Sequence, residues 1–240
     1  MNWEPWTGCY YESEGCKYCY YYGPFSKRYG QNAIEKTQDF SKPVDRHKNG
    51  SLKMKSNSSV ATCFATDFFI AEADEWRGQA WSFIKQRQDL DFLILTKRID
   101  RFAVSLPDDW GDGYGNVYIG CTVENQEIAD YRLPLFASYP IKRRFIACSP
   151  ILGPIDLSKY LGKVSHVTVG GESGRQAREC DFSWVMDIRA QCLEAGISFW
   201  FKNTGSLFRN GEGTQRINLY KQHAVAREFD INIGDEAMFG

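Results

Sequence analysis

The chain has 240 residues and a mass of 27.5 kDa; 43% of its residues are hydrophobic, 15% are aromatic, and its formal net charge is −1. These values exclude disorder, collagen-like repeats, coiled coil and low complexity as the main state, and they leave room for one full core near the size of a barrel of alternating strands and helices. No apolar run approaches the ~18 residues of a membrane span, and the N-terminal residues MNWEPW have neither the basic start nor the apolar stretch of a signal peptide, so a cytoplasmic protein with no membrane partner is expected.

The first feature along the chain is a cysteine cluster. Three of the eight cysteines, Cys9, Cys16 and Cys19, fall within eleven residues with spacing Cys-x6-Cys-x2-Cys, followed by Tyr20, Tyr21 and Tyr22. A density this low is no disulfide scaffold, and in a reducing compartment such a cluster is better explained by metal. Structural zinc needs a fourth ligand, and His47, His166, His223 or a distant cysteine would have to supply it, none at zinc-finger spacing. A four-iron cluster held by three thiolates leaves one iron open to a ligand. Both readings stand on the spacing alone.

Residues 27–59 follow as a polar stretch. Eight Lys or Arg against Glu35, Asp39 and Asp45 give a local charge of +5. This is either a solvated connection or a positive rim for an anionic substrate.

From residue 60 the chain alternates. Short apolar runs at 60–65, 91–96, 116–121, 143–148, 165–170 and 197–202 read as strands buried on both faces. Helical spacing appears over 74–88, over 125–139 with Asn125 as cap and Pro134 as an expected kink, and over 181–195 with Gly196 as C′ residue. Repeated strand–helix–strand units predict a parallel (β/α) barrel, complete or partial, in one domain spanning 1–240, with a doubly wound open sheet as the rival. A short C-terminal extension after about residue 205 shows no repeat. His166 lies inside an apolar run and reads as a satisfied core histidine.

Asp67, Lys97, Glu124 and Glu172 all fall just after predicted strands, where a β/α barrel has its catalytic mouth. Four ionisable groups at one rim are costly to bury unless they pair with each other or bind a polar ligand. Gly170-Gly171 would let backbone approach such a ligand, or would simply make a tight turn. Cys63, Cys121, Cys148, Cys180 and Cys192 sit among apolar neighbours and read mainly as core. Cys121 and Cys148 end neighbouring strands, and Cys148 is a candidate hydrogen donor to substrate.

The segment Trp3-x-Pro5-x-x-Gly8-Cys9, Gly15-Cys16-x-x-Cys19-Tyr20 resembles the N-terminal signature of an uncharacterised phage and bacterial family within the radical S-adenosylmethionine enzymes, similar to the spore photoproduct lyases. The resemblance continues in order through Thr66-Asp67-Phe68-Phe69, Leu95-Thr96-Lys97-Arg98, Thr122-Val123-Glu124-Asn125-Gln126, the 148–157 block, Val169-Gly170-Gly171-Glu172-Ser173-Gly174 and Phe201-Lys202. It implies a [4Fe–4S] cluster on Cys9, Cys16 and Cys19 whose open iron chelates S-adenosylmethionine. It implies reductive cleavage of that cofactor to methionine and a 5′-deoxyadenosyl radical. Tyr20, Asp67, Lys97, Thr122, Glu124, Asn125, Gly170, Gly171 and Glu172 become candidate cofactor contacts, and a flavodoxin- or ferredoxin-like reductant the expected partner. The likeness to photoproduct lyases and the +5 segment point to a nucleotide or nucleic acid as substrate. Two departures stand out: the x6-x2 spacing is wider than the x3-x2 of most radical S-adenosylmethionine enzymes, and Ser149 stands where the family commonly has Glu. The rival functions are a zinc-binding β/α module that recognises nucleic acid without catalysis, and an iron–sulfur protein without turnover.

Overall fold

A computed structural model of the chain describes residues 1–19, 21, 33–211 and 213–234. Tyr20 lies outside the described residues, as do Tyr22, Lys27 and Arg28. In chain order the elements are β1 (Asn2–Trp3), β2 (Trp6–Thr7), β3 (Glu35–Lys36), β4 (Ser58–Thr62), α1 (Asp74–Gln86), β5 (Leu90–Thr96), β6 (Val117–Thr122), α2 (Gln126–Ser138), β7 (Arg143–Cys148) and α3 (Ser158–Leu161). They continue with β8 (His166–Gly170), β9 (Glu179–Asp181), α4 (Phe182–Ala195), β10 (Ser198–Asn203), β11 (Leu207–Asn210), β12 (Gly213–Arg216) and α5 (Gln222–Glu228).

All six expected strands are present, and β1 joins them at the edge. They form one seven-stranded sheet in the order β1-β4-β5-β6-β7-β8-β10, with every neighbouring pair parallel. The order never reverses. A doubly wound sheet needs a point where new strands start adding on the other side, so that rival is overturned. Right-handed crossovers that always add on the same side stack the helices on one face and curl the sheet, giving a partial β/α barrel. No pairing between β1 and β10 closes it among the described residues.

The strands are apolar on both faces because both faces are covered. On the helix side Val60, Phe92, Ile94, Ile119, Ile146, Val167 and Phe201 join the main core, reinforced by an aromatic group around Trp81, which meets Phe68 edge-on with ring centroids 4.8 Å apart and lies tilted against Trp110 at 5.1 Å. On the concave side a smaller cluster forms from Leu93, Tyr118 and Phe145, with Leu95 against it. Asn125 caps α2 by accepting from the Ile128 amide at 2.9 Å, and Gly196 ends α4 at φ 66°. The α2 helix runs through Pro134 as one element. His166 is buried and satisfied, its ring bonded to Ser198 at 2.7 Å and Thr168 at 2.8 Å, and burial pulls its pKa down to about 4.

The described part of the polar stretch is folded back on the body. β3 pairs with β2, Lys42 and Lys53 are bridged to Asp39 and Asp45, and Phe40 packs on Phe83. The C-terminal part carries more structure than an extension: β11 joins β12 and β9 in a three-stranded sheet, and α5 packs on β10. Among the described residues, no helix is long and apolar enough to cross a membrane.

Candidate functional site

The C-terminal ends of the strands open on one cavity of about 740 Å³. Its wall takes Cys63 from the end of β4, Lys97 from β5, Thr122 from β6, Ser149 from β7, Glu172 from β8 and Lys202 from β10. This is the end at which parallel β/α folds gather functional side chains, because the loops there carry no duty to the sheet. Leu93, Leu95, Phe145 and Trp200 add apolar surface on the concave side.

Cys9, Cys16 and Cys19 all line this same cavity. A tight turn presents them: the Cys16 amide donates to the Ser13 carbonyl at 2.8 Å, and the Cys19 amide to the Cys16 carbonyl at 3.1 Å. Cys16 is buried, and the other two are half-buried. Burial pushes the Cys9 thiol up to about 11; Arg98 opposes this, while Asp67, Cys16 and Cys19 add to it. The three sulfurs are therefore electrostatic neighbours. Among the described residues, no three Cys, His, Asp or Glu side chains are gathered closely enough to hold a metal ion, so the thiols share a wall without converging on a point.

The carboxylates expected to meet a cofactor are each held by an arginine, and each pair also touches the cysteine loop. Asp67 accepts from the Phe69 and Lys97 amides at 2.9 Å, from the Thr96 hydroxyl at 2.8 Å and from Arg98 at 3.3 Å. Arg98 in turn donates to the Tyr10 carbonyl at 3.0 Å and bridges Glu12 at 3.3 Å. Glu124 is fully buried, accepts from Arg132 at 3.1 Å and from the Ser13 hydroxyl at 2.6 Å, and lies so close to Gly15 that a Cβ there would meet it at 2.4 Å. Glu172 is gripped by Arg178, whose Nη2 donates at 2.6 Å and Nε at 2.9 Å, while the same guanidinium donates to the Glu14 carbonyl at 2.8 Å. Three ion pairs on three strand ends thus hold one loop. Sequence reasoning named the acids, noted Arg98 without a partner, and missed Arg132 and Arg178. Asp67 pairs with the Arg98 guanidinium and takes only the backbone amide of Lys97.

Other expected contacts sort as follows. Lys97, Thr122, Gly171 and Glu172 line the cavity with Asp67. Gly171 is glycine for a neighbour's sake, since a Cβ would sit 2.3 Å from the Thr204 carbonyl. Asn125 is engaged as the α2 cap, Gly170 faces Ser149, and neither they nor Glu124 are on the wall. Cys148 is completely buried in the helix-side core, its thiol raised well above the usual range by burial, and the fold does not bring it to the cavity. Tyr20 lies outside the described residues.

In chemistry the donors match a three-thiolate iron–sulfur centre, three sulfurs on one wall with Asp67, Glu124 and Glu172 taken by arginine, but their side chains are not drawn together into a metal-holding group among the described residues. Two residues of the wall hold orphaned polar atoms behind it. Thr122 Oγ1 and Trp200 Nε1 are buried without a hydrogen-bond partner among the described residues, with almost no surface of their own open to the cavity.

No curated protein and no solved structure matches the chain. The family described as protein of unknown function DUF5131 matches residues 1–237, nearly the whole length, so the chain belongs to that family.

Proposed function

We propose that this protein is a radical S-adenosylmethionine enzyme with a partial parallel β/α barrel of that type. The observation that carries the reading is that Cys9, Cys16 and Cys19 line one cavity with the strand ends of a curled parallel sheet. Cys9, Cys16 and Cys19 would hold a [4Fe–4S] cluster, which would supply the electron for reductive cleavage of S-adenosylmethionine. The chain's own part is to hold, orient and shield. Cys9, Cys16 and Cys19 are the ligands, and Arg98, Arg132 with Glu124, and Arg178 keep their loop against the barrel. Lys97, on the cavity wall, offers a cation to the cofactor's carboxylate. Leu93, Leu95 and Phe145 exclude water from the space where the radical acts. The reading includes a flavodoxin- or ferredoxin-like electron donor.

Anaerobic assembly with iron and sulfide is expected to give about four irons per chain, with visible charge-transfer absorbance and an electron paramagnetic resonance signal on reduction. Cys16→Ala is expected to lose the centre, while Cys148→Ala, remote from the cavity, keeps it. Dithionite and S-adenosylmethionine are expected to yield 5′-deoxyadenosine. Zinc without iron would overturn the reading in favour of a zinc module, and a full centre without 5′-deoxyadenosine in favour of a non-catalytic iron–sulfur protein.

A further inference from the structure

The β10 strand breaks its own alternation at the cavity. Phe199 and Phe201 belong to the helix-side core, while Trp200 and Lys202 line the cavity. Regular pleating would return Asn203 to the core beside Phe201. Instead the register with β8 slips: Phe201 pairs with Val169 and Asn203 with Gly170, so Lys202 and Asn203 together oppose one residue. A bulge of this kind re-aims a side chain, and here it puts Asn203 on the cavity wall next to Lys202.

Asn203 is only 7% exposed, and its amide is held in one orientation. Oδ1 accepts from the Gly205 amide at 3.0 Å, which leaves Nδ2 as the outward end. Nδ2 donates to nothing among the described residues, yet unlike Thr122 Oγ1 and Trp200 Nε1 it keeps surface of its own. A donor in so buried a residue is costly to leave unmet. Ser149, just beyond the end of β7, is on the same wall, and its hydroxyl is likewise unpartnered among the described residues and not sealed. Gly170 lies between the two: an added Cβ would meet Ser149 Oγ at 3.0 Å and both amide atoms of Asn203 at 3.4 Å. The missing carbon lets the two side chains stand side by side.

With Oδ1 committed, Asn203 offers the cavity only N–H, and a serine hydroxyl can donate beside it. Two neighbouring donors suit an oxygen with two lone pairs in one plane, that of a carbonyl or carboxylate. A ligand N–H in that place would meet Nδ2 donor to donor. We propose that Asn203 and Ser149 form a subsite for a carbonyl or carboxylate oxygen of the substrate. That the occupant is the substrate rests on the radical S-adenosylmethionine reading, in which Lys97 takes the cofactor's carboxylate; the binding itself does not.

The test follows asparagine side-chain amide signals by nitrogen-15 NMR in the full chain, with and without assembled iron. The Asn203 signal is the one that Asn203→Asp removes. The probes are δ-valerolactam, acetate and S-adenosylmethionine, and affinities are read in parallel from ligand line widths. The lactam or acetate is expected to shift the Asn203 signal saturably, the first reporting a neutral carbonyl and the second a carboxylate. Asn203→Asp keeps an acceptor for the Gly205 amide and turns the outward donor into an acceptor, so it is expected to weaken that binding at least tenfold. Ser149→Ala is expected to weaken it about fivefold, the scale of one neutral hydrogen bond. Lys163→Met, in a basic groove at the other end of the sheet, is expected to change nothing. An Asn203 signal that ignores both small probes, or unchanged affinity in both cavity variants, would overturn the proposal. So would S-adenosylmethionine shifting the same signal and excluding both probes, which would give the subsite to the cofactor. Iron content is read on the same samples. Iron-loaded protein whose Asn203 ignores every probe sinks this inference alone, and protein that takes up no iron but binds the lactam sinks the cluster reading alone.

Discussion

Glu4 shows how one side chain by the cavity mouth couples folding to acidity. Its carboxylate accepts from the Ala65 amide at 3.1 Å and the Thr66 hydroxyl at 3.2 Å, and both neighbours line the cavity. These bonds favour the ionised form, yet burial outweighs them and raises the pKa from 4.5 to about 7. The folded protein therefore holds a proton through this window that the unfolded chain has released. Stability contributed by the neutral acid is intact below pH 4.5 and declines as the pH climbs to about 7, by up to about 3 kcal/mol. Denaturation midpoints measured across this range should fall in the native protein and stay flatter in Glu4→Gln; parallel slopes would refute the assignment. At this scale the sequence is informative about residue types and silent about partners. Asp67, Glu124 and Glu172 were legible as rim carboxylates because each follows an apolar run. Arg178, which holds Glu172 and reaches Glu14 164 positions away, carries no local mark at all.

Elements were the most legible level. The strands of a parallel sheet are apolar on both faces, so β5 to β8 and β10 announce themselves as unbroken runs; the two-residue β1 and the polar β12 carry too little pattern to be seen. Helix ends can be tested by substitutions of opposite sign. Asn125→Ala removes the cap of α2 and Gly196→Ala forces a Cβ into the left-handed region at φ 66°, so each is expected to cost about 1 kcal/mol. Gly78→Ala, inside α1 with nothing within 4 Å of the added Cβ, is expected to gain about 0.5–1 kcal/mol. Urea midpoints should move down, down and up at constant slope. A loss at Gly78 would mean that this face of α1 is covered by something else.

For the whole molecule, a strand order that never reverses accounts for both the curl and the place of the cavity, because every crossover puts its helix on the same side and leaves the other side concave. On the proposed iron–sulfur reading, the three ion pairs on three strand ends would have a consequence for metal capture. A loop sutured at Tyr10, Ser13 and Glu14 has surrendered much of its backbone freedom, so on the proposed reading a cluster would have to draw together the three side chains but not order the loop that carries them. Deuterium uptake at the Cys16 and Cys19 amides in iron-free protein should accordingly be slow, tracking opening of the sheet, and Arg178→Met should make it fast while the strands stay protected. A cysteine loop that exchanges freely in both proteins would show that the sutures do not hold, and that the iron would have to organise its own nest.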